Sequence, residues 1–498
     1  MDADHQISLQ YWQVMENLKA KTISSLFWKL MERGGNAVVS LVVQIILARL
    51  LSPDDFGMLA IIIVFVNIGA VFVQSGLNSA LIQTPDATEN DYSTVFWTCF
   101  FIAVVLYFGI FLFAPVIGDF YSSPELVWPL RGISLLLLIN AYNSIQVAKV
   151  TRDLELKKTF YATIASVTIS GFIGISLAYF GVGVWALVAQ QLSYQFVNCV
   201  ALQLQISWHP KLVFSLKRAK ELFGFGWKLL VSGVLNTIYQ SLSSLIIGKQ
   251  FSQHSLGLVS QGEKYPQAIG NMLDGAIQPV MFSAVSRVQT DLDQVKGLTK
   301  RALKTSSFLV IPVMGLFALV ADPFTRVFLG EQWLGAIPFL QMYCFVYALY
   351  PIQTSNLQAI NGIGRSDIYL KLEVVKKIYG VAIILIAAFV IQDVYAVVFG
   401  LMLSNFISAI VNSIPSKRII KYGFIEQMRD IFPAIALTGI SALLAFFVIY
   451  LDLIPILTLI LQCAVMILAY VSLAALFEVE EFTYLLSTLK EMYLKNNK

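Results

Sequence analysis

The sequence predicts an all-α, polytopic membrane protein with about 14 transmembrane helices. Its 498 residues are 57% hydrophobic and only 13% charged, whereas soluble domains are roughly 45–50% apolar and about 25% charged. The apolar residues also fall into runs of about 20, which is the length of helix that crosses the hydrocarbon core of a bilayer. This composition and this spacing together exclude a soluble globular enzyme.

Charged residues, Gly and Pro divide the apolar residues into fourteen spans. The first six are residues 24–48, 56–81, 93–113, 126–148, 159–180 and 184–205. The remaining eight are residues 223–248, 256–286, 305–329, 337–360, 374–392, 395–415, 430–450 and 455–477. The eighth span is the most polar, because charged residues and prolines interrupt it.

The basic residues are distributed unequally between alternate loops. If the N-terminus is cytoplasmic, about 26 of the 34 Lys and Arg residues lie on the cytoplasmic side, and only Arg49, Arg131 and Lys249 lie opposite. Such an asymmetry predicts that both termini are cytoplasmic. One loop departs from the rule: the segment 83–92 is predicted to be cytoplasmic, yet it contains no Lys or Arg.

Two stretches of the chain resemble each other at an offset near 200 residues. Trp28-Lys29-Leu30 opens the first stretch, and Trp227-Lys228-Leu229 opens the second. Because six spans separate them, both start on the same side of the membrane, as in a parallel repeat. We therefore expect two pseudo-symmetric six-helix lobes plus two C-terminal helices. The corresponding divisions are an N-terminal cytoplasmic or interfacial segment (1–23), an N-lobe (24–205), a cytoplasmic linker (206–222), a C-lobe (223–415), the last two spans (416–477) and a cytoplasmic amphipathic tail (478–498).

Several classes of chemistry find no support in the sequence. The four cysteines are about a hundred residues or more apart in apolar stretches, the three histidines are scattered, and no GxxxxGK[ST] phosphate loop is present. We therefore expect no cofactor, no metal and no Walker-type ATP hydrolysis. The net charge of +4 is small and follows the membrane topology, which argues against nucleic acid as a partner.

Cations within the spans are candidates for binding an anionic substrate. An ionisable side chain in the hydrocarbon core costs about 2.5–3.5 kcal/mol on insertion scales, so it needs a partner, a wet cavity or a route to the surface. Lys29, Glu32 and Arg33 share one face of the first span, and Lys228 is the repeat equivalent of Lys29. Lys29 and Lys228 can also snorkel to the interface, and Arg33 can also pair with Glu32.

The eighth span carries Glu263, Lys264 and Asp274. Adjacent residues on a helix point about 100° apart, so Glu263 and Lys264 cannot form one salt bridge and need separate surroundings. We expect Lys264 to bind substrate and the carboxylates Glu263, Asp274 and Glu32 to couple an ion. The alternative is an interhelical structural network.

Neutral polar residues in the spans are candidate ligands for sugar hydroxyls. Asn36, Gln74 and Gln240 are the members that we assign to the substrate site. Polar side chains also hold membrane helices together, so each of them has this structural interpretation as well.

Two stretches of the first lobe resemble a known family. The first is Ile45-Ile46-Leu47-Ala48-Arg49-Leu50-Leu51-Ser52-Pro53-Asp54-Asp55-Phe56-Gly57, and the second is Gln74-Ser75-Gly76-Leu77-Asn78-Ser79-Ala80-Leu81-Ile82-Gln83. With Phe328-Leu329-Gly330-Glu331-Gln332-Trp333 and Ile337-Pro338, they resemble polysaccharide transporters of the multidrug, oligosaccharidyl-lipid and polysaccharide exporter superfamily. The resemblance is strongest to Wzx-type and colanic-acid-exporter-like flippases.

The resemblance implies a V-shaped, multi-pass protein of the bacterial inner membrane that works by alternating access. Its substrate would be an undecaprenyl-diphosphate-linked oligosaccharide, such as a repeat unit of O-antigen, capsule or exopolysaccharide. Other implied partners are membrane lipids, a monovalent ion, and a neighbouring polysaccharide polymerase or glycosyltransferase.

Two other functions remain open at this point. An ion-coupled multidrug exporter of the same fold would favour carboxylates over cations in its cavity. A membrane-embedded polysaccharide polymerase or ligase would need a substantial outer loop with charged catalytic residues. The longest predicted outer loop covers only residues 114–125, so we do not expect an enzyme.

Overall fold

The computed structural model describes residues 2–74, 76–84, 88–206 and 208–496, with side chains from residue 24 onward except at a few positions. Every regular element in these ranges is a helix, as predicted for an all-α protein. The chain divides into two compact units, Met1–Lys249 and Gln250–Lys498. The seventh span is grouped with the first unit by its contacts, while the predicted lobe boundaries, 24–205 and 223–415, stay a prediction.

The helices of the first unit cover the first seven predicted spans, although the spans 56–81 and 126–148 are each divided between two helices. They are α1 (Asp2–Leu50), α2 (Pro53–Gln74), α3 (Leu77–Gln83), α4 (Glu89–Phe120), α5 (Val127–Ile133), α6 (Leu136–Arg152), α7 (Leu156–Tyr179), α8 (Val184–Gln203) and α9 (Leu216–Gln250). The predicted N-terminal segment 1–23 is helical from residue 2 and continuous with the first span.

The second unit has the same helical character. Its helices are α10 (Gln253–Arg287), α11 (Leu292–Leu319), α12 (Ala321–Phe324), α13 (Ile337–Ala348), α14 (Tyr350–Gly362), α15 (Ser366–Ile386), α16 (Val394–Ile419), α17 (Phe424–Phe446), α18 (Pro455–Leu476) and α19 (Glu480–Asn496). Short 3₁₀ or π turns extend several of them, for example Glu331–Ala336 before α13 and Ala387–Ile391 after α15.

Twelve helical segments of the described chain are long and apolar enough to cross a membrane. They overlap twelve of the fourteen predicted spans, with the largest shift at Leu292–Leu319, which was predicted as 305–329. The other two predicted spans, 184–205 and 256–286, are the helices α8 and α10, which do not meet the same criterion of length and composition. The count of fourteen is therefore approximate, and the multi-pass fold is confirmed.

Glycines let the helices of the first unit approach closely. A Cβ atom on Gly171 of α7 would lie 2.4 Å from Val43 of α1, and one on Gly174 would lie 2.8 Å from Gln190 of α8. Small residues at such contacts are typical of membrane helices, which associate through close packing. These contacts hold α1 and α8 against α7.

The two matching stretches of sequence share a local architecture. In each, a long helix ends and a second helix begins after a two-residue break, at Leu51-Ser52 and at Phe251-Ser252. Ser52 accepts a hydrogen bond from the backbone N–H of Asp55, and Ser252 accepts one from that of Ser255. A serine that caps the second helix is thus common to both copies of the predicted repeat.

Candidate functional site

Polar side chains follow one side of α1. Lys29, Arg33, Asn36, Ser40 and Gln44 are spaced by three or four residues, so they lie on the same side of the helix. Arg33 is exposed and the other four are partly exposed. Ser40 donates a 3.4 Å hydrogen bond to Asn36. The first span therefore presents a continuous polar stripe that starts at its candidate cations.

The three charged residues of α1 have different partners. Lys29 lies 2.9 Å from a carboxylate oxygen of Glu32, and Thr159 of α7 donates a 2.8 Å hydrogen bond to the same carboxylate. Arg33 has no hydrogen bond or ion pair with any described residue. The structure therefore pairs Glu32 with Lys29, and it leaves the Arg33 guanidinium open to an anion.

A second polar stripe lies on α9. Lys228, Ser232, Asn236 and Gln240 follow one another at intervals of four residues, and all four are exposed. No described residue forms an ion pair with Lys228. Lys29 and Lys228, which the predicted repeat aligns, thus each begin a polar stripe on a helical segment that is long and apolar enough to cross a membrane.

Gln74 lies close to the beginning of the second stripe. After Gln74, the chain turns through Gly76, which has φ = +82°, and the backbone of Gly76 packs directly on Gly226. A Cβ atom on either glycine would lie within 3 Å of the other's backbone. Gly226 precedes Lys228 by two residues, so this turn brings the end of α2 to the part of α9 that carries the cation.

The charges of α10 point in two directions. Glu263, Gln267, Asp274 and Gln278 lie on one side of the helix, as their spacing requires. Lys264, one residue after Glu263, lies about 100° around the helix and is half-buried. The two carboxylates therefore share a face of α10 that excludes Lys264.

Buried tyrosines from α13 surround Glu263. The hydroxyl of Tyr347 donates a 3.4 Å hydrogen bond to Glu263, and Tyr343 also lies within reach of the carboxylate. Gln267 donates a further 3.4 Å bond from the next turn of α10. Tyr343 and Tyr347 are 4% and 3% exposed, so they screen this carboxylate from bulk solvent.

Asp274 also accepts hydrogen bonds from neighbouring side chains, as Glu263 does. Thr354 of α14 and Gln278 of α10 donate hydrogen bonds to its two oxygens, the second at 2.6 Å. Glu263 and Asp274 are eleven residues apart on α10, about 16 Å along the helix. They therefore form two separate carboxylate sites along the α10 contact with α13 and α14.

Sequence reasoning missed the partners of these carboxylates. Tyr343, Tyr347 and Thr354 belong to apolar spans, and a tyrosine in such a span is ordinarily a packing residue. Ser40 and Ser232 were also missed, although their position in a four-residue polar spacing was a usable signal. Among the residues described, no group of three or more His, Cys, Asp or Glu side chains is placed to hold a metal ion.

Twelve helical segments among the described residues are long and apolar enough to cross a membrane. Together with the polar stripes on α1 and α9 and the carboxylates on α10, they have the organisation of a multi-pass membrane transporter. Residues 46–338 match the family of polysaccharide biosynthesis proteins, and the chain belongs to this family. The match covers more than half of the sequence and confirms the resemblance stated above.

Relatives and solved structures agree with this assignment. The chain is 25% identical to the succinoglycan biosynthesis transport protein ExoT of Rhizobium meliloti (strain 1021), over 70% of this chain and 71% of ExoT. It is 23% identical to the lipopolysaccharide biosynthesis protein WzxC of Escherichia coli (strain K12), over 80% and 81% of the two chains. The lipid II flippase MurJ, in an inward closed conformation, superposes with a TM-score of 0.72 at 15% identity, over 91% of this chain and 98% of MurJ. At 15% identity, the superposition on MurJ shows that the two chains share a fold and nothing more.

Proposed function

We propose that this protein is a flippase that moves a lipid-linked oligosaccharide across the bacterial inner membrane by alternating access. Membership of the polysaccharide biosynthesis family and the similarity to a protein named as a succinoglycan transport protein support this substrate class. The observation that carries the proposal is the pair of polar stripes on α1 and α9, each of which exposes a cation that has no anionic partner among the described residues.

The chemistry of such a substrate explains the residue types in the stripes. A lipid diphosphate is anionic, and Arg33, Lys228 and Lys264 are the cations that we assign to it. A glycan presents many hydroxyl groups, and Asn36, Gln74 and Gln240 can donate to them and accept from them. Lys29 contributes less charge, because Glu32 neutralises it.

We assign ion coupling to Glu263 and Asp274. Each carboxylate accepts hydrogen bonds from hydroxyl and amide groups and forms no ion pair with any described residue. A bound proton or monovalent cation would remove the cost of keeping such a charge within the membrane. Glu32, which the sequence also suggested, already pairs with Lys29, so we place it in the cation network.

A transport assay with the purified protein tests the proposal. The protein is reconstituted into liposomes with a short-chain fluorescent polyprenyl-diphosphate oligosaccharide, and the probe in the outer leaflet is reduced chemically. A flippase makes the inner-leaflet probe accessible, so the reducible fraction rises from about half towards completeness. Protein-free liposomes and liposomes with Arg33→Ala/Lys228→Ala protein are the controls.

A parallel assay separates this function from multidrug export. Uptake of a cationic dye into the same liposomes under a proton or sodium gradient reports drug transport. Dye transport without movement of the lipid probe would overturn the proposal in favour of a multidrug exporter. Hydrolysis or polymerisation of the probe would indicate an enzyme instead.

A further inference from the structure

The segment between the two predicted lobes is bound firmly to the first unit. The indole of Trp208 is buried at 2% exposure and packs against the rings of Tyr92, Phe96 and Tyr142, with centroids 6.1–6.4 Å away. The side-chain amide of Gln203 donates a 3.0 Å hydrogen bond to the Trp208 carbonyl. The beginning of the predicted linker 206–222 is therefore anchored by aromatic packing.

The next residues of the segment are held by side chains of α4. Ser93 accepts a 3.1 Å hydrogen bond from the backbone N–H of Lys211, and the indole N–H of Trp97 donates a 2.8 Å bond to the Lys211 carbonyl. Thr94 accepts a 3.3 Å bond from the backbone N–H of Ser215. Consecutive turns of α4 thus satisfy backbone groups that a free linker would leave to solvent.

An ion pair completes the attachment at the start of α9. The Arg218 guanidinium donates bonds of 2.7 and 3.1 Å to the two oxygens of Asp91. Thr88 forms a capping box with Asp91, so the carboxylate also satisfies the N-terminus of α4. The Asp91 side chain is only 5% exposed, and its carboxylate raises the pKa of Arg218.

Beyond Arg218, α9 has few buried residues before its far end. Most residues between 223 and 240 are exposed, and Gly226 in this segment packs on Gly76. At the far end, Tyr121 donates to the Leu245 carbonyl at 3.5 Å, and Lys249 binds the Phe120 carbonyl. Because packing along its middle is sparse, the position of α9 depends strongly on its two ends.

We propose that Asp91 is a positioning residue for transport, which fixes the start of α9 and thereby the direction in which Lys228 faces. Lys228 lies ten residues after Arg218, about 15 Å along the same helix. Residues 208–218 then move as part of the first unit, and any bending of α9 during transport occurs beyond Arg218. This inference rests on the proposed function only for the role of Lys228.

Neutralising the ion pair tests the proposal against a matched control. Glu221 also accepts a 3.0 Å bond from Arg218, but it belongs to the same helix, so Glu221→Gln removes a partner of Arg218 without detaching α9 from α4. Asp91→Asn and Arg218→Gln are compared with it for glycan export per unit of membrane protein. We expect a loss of about tenfold for both, which is the effect of roughly 1.4 kcal/mol of lost interaction, and parent-like export for Glu221→Gln.

A second readout follows the position of α9 without any substrate. Ser232→Cys is introduced into a variant that lacks the four native cysteines, and its rate of maleimide labelling is measured. Asp91→Asn and Arg218→Gln should change this rate at least severalfold, whereas Glu221→Gln should not. Asp91→Glu keeps the charge and suits the third position of a capping box, so it should restore both labelling and export.

A disulfide tests whether the attachment stays closed. Thr94→Cys/Ser215→Cys places two thiols at a contact that exists in the structure, and oxidation in membrane vesicles should leave transport unchanged. Loss of transport that a reductant restores would show that the attachment opens in each cycle and would overturn the fixed anchor.

The remaining outcomes are also decisive. Export that falls only in proportion to protein level, or falls without a change in labelling, would overturn a positioning role for Asp91. A change in labelling with normal export would show that the position of α9 does not limit transport. If Asp91→Asn does not accumulate, Arg218→Gln decides, because it leaves the capping box of α4 intact. Failure of the proposed function would leave the labelling results standing, so the two failures are distinguishable.

Discussion

Tyr347 meets α10 at two points: its hydroxyl donates a 3.4 Å hydrogen bond to Glu263, and its ring lies against Gly270. A Cβ atom on Gly270 would be 2.6 Å from the Tyr347 ring, and one on Gly262 would be 2.9 Å from the backbone nitrogen of Leu340. The two glycines therefore permit the close approach of α13 to α10 that places Tyr347 beside the Glu263 carboxylate.

Substituting Gly270 tests this packing. Gly270→Leu should lower the free energy of unfolding by about 1–3 kcal/mol, because the added side chain overpacks the contact. Gly439→Ala, on α17 with no atom within 4 Å of the added Cβ, should leave stability unchanged or slightly higher. Thermal unfolding of both variants in detergent checks the prediction, and equal melting temperatures would contradict it.

Removing the carboxylates should uncouple transport from the ion gradient. Glu263→Gln and Asp274→Asn keep the shape and most hydrogen-bonding capacity of each side chain, so protein levels should change little. Gradient-driven transport of the lipid probe should fall toward the level measured without a gradient. Asp322→Asn is the control, because Asp322 pairs with Arg326 at the surface. Full gradient dependence in Glu263→Gln protein would remove this residue from the coupling site.

Removing a cation from a polar stripe should cost export far more than protein abundance. Lys228 is exposed and has no partner among the described residues, so Lys228→Ala leaves no stranded buried charge. Lys220→Ala, an exposed lysine near the start of the same helix, is the matched control and should export normally. Glycan export is measured beside the level of membrane protein.

The same prediction of lost export at preserved abundance applies to Lys264 and Arg33. Their alanine variants should also lose export at nearly normal abundance. If Lys264→Ala exports normally, or loses export only in step with its abundance, Lys264 is a structural residue of α10 and leaves the substrate site.

The orientation in the membrane is a further prediction. Reporter fusions at Asp119 and Gln332 should read periplasmic, and fusions at Lys157 and Lys300 should read cytoplasmic. A cytoplasmic signal at Asp119 would reverse the predicted topology.

Two acidic residues of the segment 83–92, which contains no Lys or Arg, form ion pairs with basic residues of other segments that are predicted to be cytoplasmic. Glu89 pairs with Lys149 at 2.8 Å, and Asp91 pairs with Arg218. Glu89 and Asp91 therefore lie on the same side of the membrane as two residues that the charge distribution predicts to be cytoplasmic.

The tail helix α19 should detach at low pH. Lys304 of α11 pairs with Glu480 at 2.5 Å and with Glu481 at 2.7 Å, and it holds the pKa of Glu480 below its ordinary value of 4.5. A carboxylate whose pKa is lower in the docked state than in the detached state stabilises docking at pH values above its ordinary pKa. This stabilisation is lost as the pH falls through the lowered pKa. Limited proteolysis within α19 should therefore accelerate below pH 4.5. Lys304→Met should show the fast rate already at neutral pH, and an unchanged rate would contradict the prediction.

The sequence by itself determined the fold class and the general positions of the candidate residues. Membrane spans are readable because hydrocarbon demands about 20 apolar residues and forces backbone hydrogen bonds inside each helix. The separation of Glu263 from Lys264 followed from helix geometry alone, whereas the equivalence of Lys29 and Lys228 stays a prediction from the two similar stretches of sequence.

Only the tertiary structure decided the partners of these residues. It paired Glu32 with Lys29 and Thr159, gave Glu263 a tyrosine neighbour 84 residues away, and bound the predicted linker to α4 through Asp91 and Arg218, 127 residues apart. Such contacts depend on which helix faces pack together, and the hydrophobic pattern says little about this in a membrane, because every lipid-facing side is also apolar. For Glu32 and Glu263 the sequence therefore left a role in ion coupling and a structural network both open, and the structure supplied the contacts of each carboxylate.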